Sequence, residues 1–71
     1  MFSRMPPSMA CPVGSLVVHK VNRLNGVVVR AWADLDIDRL KRIEVRDVLW
    51  SNGCLSTCSP RMLLILEDNK V

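Results

Sequence analysis

Asn25-Gly26-Val27-Val28-Val29-Arg30-Ala31-Trp32-Ala33 is the stretch that decides the fold. Three consecutive valines followed by alternating Arg, Ala, Trp and Ala read as a strand. The Asn-Gly pair ahead of them is a strong short-range signal for a tight hairpin turn. Upstream lies another β-rich run, Ser15-Leu16-Val17-Val18-His19-Lys20-Val21. The two runs are expected to form an antiparallel hairpin whose connection, residues 22–26, ends in Asn25-Gly26.

The rest of the chain extends this pattern. Pro12-Val13-Gly14 reads as an opening turn. Residues 34–41 alternate Asp34, Asp36 and Asp38 with Leu35 and Ile37, and bases follow. They read as a loop with room for one Asp-capped helical turn, since acid-first, base-last order suits a helix dipole. Residues 43–50 form a third strand, in which apolar Ile43 and Val45 fall out of phase with Val48 and Trp50. A β-bulge at Arg46-Asp47 would restore the alternation. Ser51-Asn52-Gly53 is a second tight turn, residues 54–58 a fourth strand, and Ser59-Pro60-Arg61 a turn suited to one 3₁₀ turn. Residues 62–67 make the fifth strand, centred on Leu63-Leu64-Ile65-Leu66.

Composition agrees with an all-β chain. Ten Val, nine Leu and three Ile stand against three Ala, two Glu and no Gln, so the residues that cover exposed helix faces are scarce. At 71 residues there is room for one small domain. The expectation is a small five-stranded SH3-like barrel over residues 13–67, with an N-terminal extension, 1–12, and a polar tail, 68–71. Curling one sheet on itself lets a short chain bury one face without a second layer. A five-stranded OB-like barrel is the competing architecture.

Val48-Leu49-Trp50-Ser51-Asn52-Gly53 and Ser59-Pro60-Arg61-Met62-Leu63 carry a resemblance. With Gly14 and Gly26-Val27-Val28, this order resembles short uncharacterised SH3-like β-barrel proteins of bacteriophages, cyanophages especially, and of environmental DNA. Their pattern is a glycine before the first strand, a Gly-Val-Val second strand, a Val-Leu-Trp-x-x-Gly hairpin, a Ser-Pro-x-x-Leu turn and an apolar last strand. The resemblance spans residues 13–67 and brings no catalytic motif. The acidic stretch 34–38 and the Met/Pro-rich N-terminus depart from it. Met5 and Met9 are alternative starts that would remove much of that extension.

Motifs for chemistry are lacking. There is no Walker loop, GxGxxG, HExxH or CxxC, and the single His19 has no evident nucleophile or carboxylate beside it. Cys11, Cys54, Cys58 and His19 suffice by number for zinc, but their spacing fits no zinc knuckle, and they read as small apolar residues and a strand-rim histidine. Cys54 and Cys58 would lie about 13 Å apart on one strand, too far to bridge. An odd number of cysteines without a scaffold suits reduced thiols in a cytoplasmic protein. Asp34-x-Asp36-x-Asp38 opens like a calcium loop, yet Arg39 and Val45 stand where Gly and Glu are required. No cofactor, metal or small-molecule substrate is indicated, and an enzyme is not expected. No apolar run reaches the length of a membrane-spanning helix. The N-terminus lacks the continuous apolar stretch of a secretory signal.

Two binding surfaces remain. Arg30 and Trp32 share a strand face, and with Arg46 or Lys20 from neighbouring strands they could stack a base and hold phosphates. The plainer reading is that Trp32 covers one end of the barrel and the arginines solvate it. A net charge of +3 is modest for a nucleic-acid binder. With Phe2, Trp32 and Trp50 the only aromatic residues besides His19, there are too few rings for a Pro-rich peptide groove or a methyl-lysine cage. The other surface is apolar. Runs such as 63–66 are hydrophobic on both faces, so a barrel that buries one face exposes the other. Leu64 and Leu66, or else Leu63 and Ile65, would then form an association face for a homo-oligomer or protein partner, unless Phe2, Met5 and Met9 cover it. Protein association is the leading expectation and nucleic-acid binding the alternative.

Overall fold

The computed structural model describes residues 1–67; the expected tail, 68–71, lies outside them. The described chain is all-β apart from one 3₁₀ turn. Its strands are β1 (Phe2–Met5), β2 (Leu16–His19), β3 (Asn25–Asp36), β4 (Lys41–Trp50), β5 (Leu55–Cys58) and β6 (Leu63–Glu67), with the 3₁₀ turn at Pro60–Met62 before β6. All pairings are antiparallel. The order across the sheet is β5-β4-β3-β2-β6, and β1 also pairs with β3. There are six strands where five were expected, and the sheet does not close on itself.

The extra strand comes from the N-terminal stretch. β3 is 12 residues long, more than β2 can cover. Its first residues pair with β2, and β1 takes the same edge further along, from Met5 opposite Ala33 to Phe2 opposite Asp36. Residues 34–36 thus belong to β3, and the expected loop shrinks to a turn over residues 37–40 with no helical turn. Asp36 explains the tightness: its Oδ1 accepts from the amides of Asp38 and Arg39, at 3.2 and 3.4 Å.

The β2–β3 connection also differs from expectation. Asn25 and Gly26 are strand residues paired with Val18 and Val17, so the turn lies earlier. His19 Nδ1 accepts from the amides of Val21 and Asn22, Asn22 Oδ1 from that of Leu24, and Arg23 takes the left-handed conformation at φ 64°. Gly26 is needed for space. A Cβ there would stand 2.6 Å from Val48 Cγ1 and 2.8 Å from Trp50 Cε3. The turns at Ser51-Asn52-Gly53 and Ser59-Pro60 form as expected. Gly53 adopts φ 87°, and Ser59 Oγ accepts from the Arg61 amide at 3.3 Å.

One face of the sheet, here called inner, carries the core: Val17, Val28, Val48, Trp50 and Leu63, with Cys11 from the N-terminal segment. β4 keeps strict alternation, with Arg46, Val48 and Trp50 buried and Glu44 largely so. The phase slip noted in the sequence is therefore no bulge in β4. Arg46 occupies an inward position, and Ile43 and Val45 lie on the outer face. The register shift sits on the partner strand between Val28 and Arg30, leaving Val29 as the additional residue.

Candidate association surface

The outer face has two regions, separated by that shift. In the first, ladder partners share a face, and Leu55, Leu49, Val27 and Leu16 stand side by side across β5, β4, β3 and β2. Leu16 and Leu49 are each 43% exposed and Leu55 62%. Beside them Val18 faces Leu64, and Leu66 falls at the irregular step where β6 passes Leu16. Leu64 and Leu66, expected at an association face, are exposed here. An open depression of about 330 Å³ lies over this end of the sheet, lined by Leu16, Asn25, Gly26, Val27, Leu49, Trp50 and Ser51. Phe2 and Met5 belong to β1 at the other end of β3, and Met9 is exposed, so these side chains leave the apolar row open.

The second region surrounds Trp32. The Arg30 and Arg4 guanidiniums lie 4.7 and 4.8 Å from its ring centroid, favourable cation–π positions. Arg4 also pairs with Asp34 at 2.8 Å. Trp32 Nε1 is buried without an acceptor, the only such side-chain atom among the described residues. Asp34 and Asp36 alternate with Trp32 along β3, and Asp47 stands opposite Arg30 on β4. The surface is thus mixed in charge rather than a basic track.

Of the four residues expected at a nucleic-acid face, only Arg30 and Trp32 come together. Lys20 lies in the turn after β2 beyond the opposite end of β3, roughly 17 Å or more from Arg30 at strand rise. Arg46 is fully buried on the inner face and cannot reach a ligand there. Its Nη2 donates to the Ala10 carbonyl at 2.8 Å and Glu44 Oε1 at 3.1 Å; its Nε to the Cys11 carbonyl at 3.0 Å; its Nη1 to the carbonyls of Val45 and Trp32 at 2.8 and 3.2 Å. Ser8 adds its carbonyl and hydroxyl, each at 3.3 Å. The guanidinium fork spends its donors binding the N-terminal segment to the sheet.

Glu44 completes this cluster, accepting from Arg42, Arg46 and the Ser8 amide. Burial raises its pKa, but hydrogen bonds from Arg42, Ser8 and Arg46 and the Arg42 charge outweigh it and hold the carboxyl at about 2. Burial pushes the Cys58 thiol up, with Cys11 and Asp47 adding to the effect, which disfavours the nucleophilic thiolate. His19 meets Trp50 edge-on at 5.7 Å between centroids. Among the described residues no group of three or more His, Cys, Asp or Glu is placed to hold a metal, and no helix is long and apolar enough to cross a membrane.

Leu16, Val27, Leu49 and Leu55 as one row, and Arg4 on Trp32, escaped the sequence reading. Period-two alternation identifies the outward residues of each strand, but register decides which of them meet. Comparison with protein-family models, curated proteins and solved structures finds no match for the chain.

Proposed function

We propose that the chain is a small non-enzymatic binding or assembly module of SH3-like design, acting in the cytoplasm by protein–protein association through its outer apolar row. The observation that carries this reading is the unbroken line Leu55–Leu49–Val27–Leu16 over four strands, with exposed Leu64 on the next. Contiguous apolar surface of this kind marks interaction sites. The SH3-like part of the proposal draws on the order β5-β4-β3-β2-β6 and the 3₁₀ turn before the last strand. These follow the expected succession of a long meander, a tight hairpin and a closing strand, with β1 as an addition. The phage resemblance fits here too, since its Val48-Leu49-Trp50 element supplies both a core tryptophan and a leucine of the row.

The test is molar mass by light scattering at low and high salt. A salt-resistant species larger than the 8.0 kDa chain, lost in Leu49→Lys, is the expected result. A monomer at both salts that gains mass only with a single-stranded oligonucleotide at low salt overturns it. That outcome would favour the second reading, in which Arg30, Trp32 and Arg4 bind nucleic acid; the guanidiniums on the Trp32 ring are the observation in its favour.

A further inference from the structure

We infer that the partner of the apolar row is a second copy of this chain, docked face to face about a twofold axis running along the β3–β4 boundary, with Arg30 of each copy meeting Asp47 of the other. The inference rests on the association reading above and adds the partner and its orientation.

The argument is one of self-complementarity, which a twofold interface requires. The row has two residues on each side of the β3–β4 boundary: Leu49 and Leu55 on one, Val27 and Leu16 on the other. A twofold axis along that boundary, midway between two facing sheets, exchanges the sides. Leu49 then meets Val27 of the second copy, and Leu55 meets Leu16. The neighbouring outer row has Asp47 on β4 directly opposite Arg30 on β3. The same rotation sets each arginine over an aspartate, twice per dimer. An in-plane axis perpendicular to the strands would instead set this charged row over the Asn25, Val18 and Leu64 row. The charges select the first axis.

Both charges are available for this use. Among the described residues neither makes an ion pair within its own chain. Arg30 rests on the Trp32 ring, and Asp47 Oδ1 accepts from Thr57 Oγ1 at 2.7 Å. Aligned sheet packing brings two such faces to about 10 Å, the distance at which leucine and valine side chains fill the space between. Charged pairs at the border of an apolar contact fix register and exclude wrong orientations.

Charge reversal in the full chain tests the pairing, by sedimentation equilibrium over a range of concentrations. Arg30→Asp alone sets two like-charge contacts across the dimer, as does Asp47→Arg alone. Each is expected to weaken self-association by about tenfold or more. An equimolar mixture of the two variants restores opposite charge at both contacts and forms a mixed dimer. Circular dichroism confirms that each variant is folded. Should either single variant fail to fold, the doubly reversed chain, Arg30→Asp with Asp47→Arg, carries the test: it is expected to pair with itself and to exclude the wild type. A dimer lost in Leu49→Lys but indifferent to these reversals, a mixture that stays dissociated, or a double variant that mixes freely with wild type overturns the inference and leaves the association reading standing. A wild-type chain that stays monomeric throughout overturns both.

Discussion

The two halves of β3 present their inner faces to opposite kinds of core. Beside the first half, Val28 and Gly26 lie among Val17, Val48, Trp50 and Leu63, and contact is nondirectional. Beside the second half, Ala31 and Ala33 stand opposite Arg46 and Glu44, and the space is closed by a guanidinium whose donors reach the carbonyls of residues 8, 10 and 11. Both are shielded from water. The first depends on volume, the second on every acceptor finding its donor. Half of the sheet is thus sealed by two alanines, a backbone segment and one arginine.

This contrast is open to test, beginning where the effect is greatest. Arg46→Ala removes the donor to several carbonyls at once and one of the three donors to Glu44, and is expected to cost about 3–5 kcal/mol in urea denaturation. Arg46→Lys keeps the charge without the fork and is expected to recover only part of that loss. Equal stability of wild type and Arg46→Ala would break the contrast. In the apolar half, Gly26→Ala drives a methyl into Val48 and Trp50, for an expected loss of about 1–3 kcal/mol.

A smaller effect follows from Glu44. Its folded pKa of about 2 lies below the ordinary 4.5. Its contribution to stability is therefore complete above pH 4.5 and is lost as the pH falls toward 2. The melting temperature should drop across that window in the wild type, and Glu44→Gln should flatten the drop. A wild-type profile unchanged by Glu44→Gln would place the acid sensitivity elsewhere. Last, Arg4→Ala removes one cation from Trp32 and an exposed partner of Asp34, for about 0.5–1 kcal/mol. The altered environment should show in Trp32 fluorescence, read in a Trp50→Phe background.

Much of the sheet was legible in the sequence because valine runs and Gly, Asn, Ser and Pro punctuation are local signals. β2 through β6, the Gly53 turn and the 3₁₀ turn at Pro60 follow from them. Gly26 misled because a glycine required for close approach to Trp50 looks, beside Asn25, like a turn glycine. Asp34 and Asp36 read as loop because strand alternation with carboxylates outward resembles a polar linker. β1 was hidden because its partners lie 28 to 34 residues away. Arg46 was hidden because hydrophobic periodicity counts a buried arginine as a surface one; the out-of-phase valines around it were the available clue. Of the candidate site, exposed Leu64 and Leu66 and the Arg30–Trp32 neighbourhood could be read along single strands. The continuous apolar row could not, because it runs across strands.

The fastening of the N-terminal segment by Arg46 has a consequence for the order of events on the ribosome. Ser8, Ala10 and Cys11 emerge before the side chain that holds them, which is 35 to 38 positions downstream. While residues 12–45 are being added, at about 5–20 residues per second, the arginine that donates to these carbonyls in the folded chain has yet to be made. A segment made ahead of the sheet thus waits for a residue within β4, whereas the β2–β3 hairpin needs only local contacts.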